Sequence, residues 1–273
     1  MGLQLFLKLP SFNAVAAGQT ANLLVPRGPT YRQVLLDYRK AGTPATEAQM
    51  RTDLTKIRFK VNGVSRIDMS GSDLIDIVKY MGFVIEDGIL PVFLAWPTAR
   101  TATLEDALAW GTQDVDTFTI EVDIAAAAGA VTLAATAITN PVRRPLGPIM
   151  QMNTLSFASS AAGVYELSTL PRSNGDLASI HFHSSLITGL ELLVDGSRYA
   201  DGELSLMNAA VKWTGRVPQT GITTFEPIWL DRYEDRIPLH DKQDIRFKLT
   251  MSAAGAVRVN MLTIAAPLGI PAA

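Results

Sequence analysis

Cysteine is absent, so disulfides and thiolate metal sites are excluded, and the fold rests on packing and hydrogen bonds. Histidine is scarce: three in 273 residues. With no Gly-x-Ser-x-Gly elbow, a Ser/His/Asp triad could be drawn only by choosing residues freely. Charge of one sign is not in surplus either. A net charge of −2 gives no basic footprint for nucleic acid and no acidic tail. Phosphate-cradling glycine motifs of the Walker A or dinucleotide type do not occur. The longest apolar run, Ile124–Ile138, is too short to span a bilayer and carries Gly129, Thr132 and Thr136; it reads as two alanine-rich strands turning at Gly129. Met1–Pro10 lacks a basic start and alternates Leu3, Leu5, Leu7, Leu9 around Lys8, the pattern of a strand rather than of a signal peptide. A soluble product made in the cytoplasm is expected.

What the chain does contain is one stretch written twice. Val61–Gly82 and Val194–Gly215 align without a gap at an offset of 133 residues (194 − 61). Val61/Val194, Gly63/Gly196, Asp68/Asp201, Ser72/Ser205, Val78/Val211, Lys79/Lys212 and Gly82/Gly215 are identical; Asn62/Asp195 and Tyr80/Trp213 are near-matches. Random pairing would give roughly one or two identities in such a window, so the domain is duplicated. Each copy reads as an apolar strand, an Asn-Gly or Asp-Gly turn, a polar start (Ser70 and Ser72; Asp201 and Ser205) and a short helix closed by glycine. Leu74, Ile77, Val78 and Met81 share one helical face, as do Leu204, Met207 and Val211.

The rest of the chain reads as short strands. In the first half these are Leu3–Leu9, Thr20–Val25, Arg32–Tyr38, Thr55–Val61, Ile89–Ala95, Thr117–Ile124 and Ala130–Ile138, with a second helix predicted over Thr103–Trp110. Pro26-Arg27 recurs as Pro171-Arg172 at an offset of 145 residues (171 − 26). The first copy therefore carries extra residues, which Arg39–Asp53 supplies as a surface loop. Pro141, Pro145 and Pro148 stiffen the junction. The expected architecture is all-β: tandem jelly rolls of eight strands with short inserted helices, spanning residues 1–139 and 151–273, joined by 140–150.

Several constellations bear on chemistry. Gly175, five residues, then His181-x-His183 matches the opening of a cupin metal motif, with both imidazoles on one strand face. The carboxylate that should follow is missing, since Ile187 and Thr188 stand there. Asp231, Glu234, Asp235, Asp241 and Asp244 form an acidic cluster able to ligate Ca²⁺ through oxygen. Arg232, Arg236 and Lys242 are interleaved with it, which makes a salt-bridged loop the alternative. Trp96, Trp110, Trp213 and Trp229 are candidates for a carbohydrate platform or for core packing.

The opening strand, Asn13-Ala-Val-Ala-Ala-Gly-Gln-Thr20, Leu24-Val-Pro-Arg-Gly-Pro-Thr-Tyr31, the Val61-Asn-Gly63 turn and the duplication resemble the major capsid proteins of corticovirus-type phages, which are tailless, icosahedral and enclose a membrane. The resemblance is firmest up to about residue 125. It implies two jelly rolls side by side and a homotrimer of pseudo-hexagonal outline tiling an icosahedral shell. It further implies a virion location, calcium associated with the capsid, and separate virion proteins for the spike and the membrane contacts. No catalytic group is required. The alternatives from other classes are a duplicated β-fold enzyme (a degenerate bicupin, or a jelly-roll amidase or glycosidase) and a two-domain carbohydrate-binding module.

Overall fold

The computed structural model describes residues 5–98, 108–171 and 175–265. Most of the predicted helix Thr103–Trp110 lies outside them. The chain forms two compact units: residues up to Lys79 with Phe83–Asn153, and Tyr80–Gly82 with Thr154–Ala265.

In the first unit, β1 (Leu5–Lys8), β9 (Val131–Asn140), β3 (Thr30–Lys40) and β7 (Ile89–Phe93) are neighbours in that order, with the short β4 (Thr43–Pro44) beyond the end of β3. Facing them run β2 (Thr20–Leu24), β8 (Phe118–Ile124), β5 (Leu54–Val61) and β6 (Val64–Met69). Along β8 the residues Phe118, Ile120, Val122 and Ile124 are buried while the polar residues between them are half-exposed. They meet Val34, Leu36 and Tyr38 of β3 and Ile57, Phe59 and Val61 of β5 in the core. Trp110 packs with Phe59 and Phe118, at ring distances of 6.3 and 5.4 Å.

The second unit repeats this order. β10 (Ile149–Ser159, of which the part up to Asn153 belongs to the first unit and pairs with β6), β18 (Gly255–Ala265), β12 (Asp176–His183) and β15 (Ile222–Phe225) form one layer, with β16 (Ile237–Pro238) also on β12. β11 (Gly163–Leu167), β17 (Ile245–Met251), β13 (Ile187–Val194) and β14 (Ser197–Glu203) form the other. Phe182 and Phe247, at 5.4 Å, stand at the centre of the core.

The repeated turns coincide in detail. Asn62 and Asp195 both take φ 49°, followed by Gly63 at 78° and Gly196 at 77°. The Asn62 side-chain oxygen accepts from the N–H groups of Asp116 and Thr117, at 2.9 and 3.0 Å. Asp195 accepts from Gln243 and Asp244 at the same distances.

Between each turn and its helix the structure inserts a strand that the sequence reading omitted: β6 and β14 pair back onto β5 and β13. Both contain charged residues and β14 is largely exposed, so hydrophobic alternation did not mark them. The helices that follow are α2 (Gly71–Tyr80) and α3 (Leu204–Lys212). Ser70 caps α2 by accepting from the Asp73 N–H, whereas α3 starts at Glu203 with no side-chain cap; Asp201, expected there, pairs with Arg198 instead. The predicted loop Arg39–Asp53 carries a helix of its own, α1 (Glu47–Asp53), opened by a capping box between Thr46 and Gln49. Its partner connection in the second unit is only Ser184–Leu186. Ala126–Ala128 is a single 3₁₀ turn, not strand.

The proline-containing junction is strapped to the first unit and is not a free spacer. Thr30 donates to the Val142 carbonyl, Gln113 N–H to that of Arg144, and Leu146 N–H to the Asp114 carboxylate.

Tyr31 and Tyr38 are fully buried. Burial pushes the Tyr31 phenol up to about 12, and burial with the adjacent Asp53 carboxylate raises Tyr38 further. Both stay neutral in the fold while the unfolded chain ionises from about pH 10. Their stabilisation is therefore full below pH 10 and is lost as pH rises toward the folded value. Each should steepen the loss by about 1.4 kcal/mol per pH unit. Urea melts at pH 9 to 11.5 measure this; stability independent of pH above 10 would contradict it.

Candidate functional site

The two histidines of the cupin-like motif lie on β12, two apart and facing the same way. His181 is buried, and its Nδ1 and Nε2 lie 2.9 Å from the Thr224 hydroxyl and 3.2 Å from the Ser179 hydroxyl. His183 Nε2 is 2.7 Å from the Asn260 amide, and its Nδ1 3.3 Å from the Arg258 guanidinium. Both rings thus serve strand-to-strand hydrogen bonding across the sheet.

The acidic cluster does not converge. Asp231 pairs with Arg216 at 2.7 Å, Asp235 with Arg232 at 2.9 Å, Asp241 with His240 at 2.9 Å and Asp244 with Arg246 at 2.7 Å; Glu234 is exposed. Among the described residues no three of the five bring ligand oxygens within 4.8 Å of one another. This donor set does not fit a calcium site within one chain: its carboxylates are separately paired, Asp231 with Arg216, Asp235 with the interleaved Arg232 and Asp244 with Arg246.

What the sequence reading missed is the charged group around Arg216. Its side chain is 1% exposed, as is that of Glu226. Arg216 donates to both Glu226 oxygens, at 3.1 and 2.9 Å, and to Asp231 at 2.7 Å. Those bonds outweigh the burial that would lower its pKa, and hold the guanidinium above its ordinary value. Tyr80, in the same unit, donates its hydroxyl to Glu226 at 2.9 Å and sets its ring edge-on to His181 at 5.1 Å. Burial foremost, then the Glu226 charge, raise the Tyr80 pKa well above that of a free phenol. Asp231 reaches its partner from a left-handed conformation, φ 59°, which Asp tolerates. The only advance signal was the Arg216…Glu226…Asp231 spacing, which has no periodicity to separate it from ordinary surface charge. The group's contacts are internal; it ties the chain beyond α3 to Glu226, next to the end of β15, and to Tyr80, whose ring meets His181 of β12.

The tryptophans divide. Trp96 and Trp110 are buried and Trp229 is half-buried, as packing predicts, but Trp213 is 83% exposed. It does not stand alone. Leu206, Ala209 and Trp213, at i, i+3 and i+7 along α3, are all exposed, and no residue of that helix is buried. In α2, the same element of the other copy, Leu74, Ile75, Ile77, Val78 and Tyr80 are all buried. Leu206 and Trp213 thus leave an exposed apolar strip on a chain that has cores of its own.

Similarity to known proteins agrees with this architecture. Residues 6–140 match the family model described as viral coat protein P2 N-terminal domain, and residues 149–267 that of the viral coat protein P2 C-terminal domain. The major capsid protein P2 of Pseudoalteromonas phage PM2 is 26% identical over 204 residues, 72% of each chain. The crystal structure of P2 from bacteriophage PM2 superposes with a TM-score of 0.89 at 20% identity, covering 98% of this chain and 99% of that one. The STIV MCP follows at 0.70 and 11% identity, covering 97% and 98%, and PBCV-1 VP54 at 0.66 and 9%, covering 99% and 97%. The fold is the double jelly roll of major capsid proteins. Two units of one strand order, together with both domain matches, place the chain in the viral coat protein P2 family.

Proposed function

We propose that the chain is a major capsid subunit whose working form is a homotrimer of pseudo-six-fold outline, located in the virion shell after synthesis in the host cytoplasm. The supporting observation is that both halves match coat-protein domains on a chain whose two units share one strand order. One chain then supplies two near-equivalent barrels, and closed three-fold symmetry gives six. The role needs lateral contacts and no catalysis, and the buried Arg216, Glu226 and His181 are engaged in internal hydrogen bonds. Its partners in this reading are copies of itself, neighbouring capsomers, and the vertex and membrane-associated proteins of the virion, with no direct nucleic-acid contact.

Light scattering on the purified protein is the direct test. The expected mass is about 90 kDa, three times the 29.5 kDa chain, with hexagonal outlines in negative-stain images. A stable monomer at every salt and calcium level would overturn the trimer.

A further inference from the structure

The internal repeat pairs residues whose surroundings differ in one informative way. At the offset of 133 residues, Tyr80 corresponds to Trp213, Phe83 to Arg216 and Phe93 to Glu226. The correspondence is structural as well as sequential. Gly82 and Gly215 both take φ 85°. Val92 of β7 pairs with Val34, and Phe225 of β15 with Ile180, at the same place in equivalent sheets.

Tyr80 is seated: its hydroxyl meets Glu226, and Glu226 is held by Arg216. In the first unit the same two positions carry Phe83 and Phe93, with ring centroids 5.1 Å apart. They line a hollow of about 270 Å³ together with Gln33, Ala95, Trp96 and Ile138. So one copy of the domain has a carboxylate–guanidinium seat filled by a phenol. The other has at the same positions a hollow walled by two phenyl rings and bordered by Arg32, and the residue that corresponds to the phenol is an indole in solvent.

The chemistry of seat and occupant changes together. A hydroxyl matches a charge-paired carboxylate, and an indole matches two phenyl rings, which favour tilted and edge contacts. The helix face that carries the indole is bare for a further reason of sequence. The Asp76 carboxylate on α2 is met by Arg51 of α1 at 2.7 Å, while the second unit has only Ser184–Leu186 in place of α1.

We infer that Trp213 of one chain inserts into the Phe83–Phe93 hollow of a second copy, as the counterpart of Tyr80 in its own seat. The inference rests on the trimer proposed above and specifies its contact. Three such insertions close a ring in which every barrel carries one filled seat.

The test uses the full chain and its lack of cysteine. Trp213→Ala alters an exposed side chain, so the monomer should keep the wild-type circular dichroism. Loss of a central aromatic anchor should weaken each contact by about thirty-fold, shifting the trimer to monomer at micromolar concentration. Separately, a Trp213→Cys/Phe83→Cys variant treated with a short bis-maleimide should give covalent dimers and trimers on a denaturing gel, and neither single variant should. Wild-type trimers with trimeric Trp213→Ala and no double-variant ladder would overturn the inference and leave the trimer standing. A monomeric wild type would overturn both.

Discussion

Arg216→Met is expected to cost about 3–5 kcal/mol of stability, because it leaves the Glu226 carboxylate buried with no counter-charge. Glu226 would keep the Tyr80 hydroxyl as a donor, but one neutral hydrogen bond does not replace two from a guanidinium. Asp231, at 10% exposure, can reach water and suffers less. Urea unfolding of the variant should therefore show a much lower midpoint at unchanged pH. Replacing the whole group tells the cost of breaking the pair from the worth of having it. Arg216→Phe with Glu226→Phe and Tyr80→Phe removes every strongly buried charge and the orphaned hydroxyl at once. It should recover most of the loss, since apolar substitutes for a buried ion pair are commonly neutral or better. The first unit already uses that solution, with Phe83 and Phe93 at the corresponding positions. An Arg216→Met variant within about 1 kcal/mol of wild type would show that Glu226 is reached by water and does not depend on its counter-charge.

The same group marks the limit of what the sequence made legible. The architecture was readable because burial on one face of a strand leaves a period of two. Phe118–Ile124 shows it residue by residue. The duplication was readable because Asn62-Gly63 and Asp195-Gly196 need positive φ in both copies, which restricts the residue types. β6 and β14 were missed because one carries Arg66 and Asp68 and the other is mostly exposed, so neither alternates cleanly. α1 was missed because a helix of seven residues is shorter than a hydrophobic stripe needs.

For the site, the helical spacing of Leu204, Met207 and Val211 correctly gave α3 a weakly apolar inner face. It could not say that Leu206, Ala209 and Trp213 on the other side would be left bare. Periodicity reports which face is apolar, and a helix apolar on two faces gives no sign of which cover comes from another chain. The histidine and carboxylate motifs were ambiguous in the sequence for a different reason. Ligand spacing is necessary for a metal site, but whether a strand neighbour such as Thr224, or a cation such as Arg216, has already taken the donor depends on the fold.

Gly175 carries the last expectation, and it reassigns the residue that opened the cupin-like motif. Its φ is 116°, a conformation that side chains with a Cβ rarely enter, and its surroundings are closed as well. A Cβ placed there would lie 2.3 Å from the Ile264 carbonyl oxygen and 2.5 Å from the Ala265 Cβ. Both neighbours belong to β18, which pairs along β12 from Asp176 to His183, so relief requires moving a central strand of the sheet. The glycine is there to let two backbones approach, which is independent of the histidines six and eight residues on. Gly175→Ala should cost about 3 kcal/mol or more, as backbone strain and a displaced strand add. Gly196→Ala is the matched control in the same unit: φ is also positive, at 77°, but nothing lies within 4 Å. Only the left-handed penalty of about 1–2 kcal/mol applies there. Urea melts of the two variants should differ in midpoint by a clear margin, with Gly175→Ala the lower. Equal losses would mean that β18 yields freely at Ile264, and the close approach would not be what fixes glycine at this position.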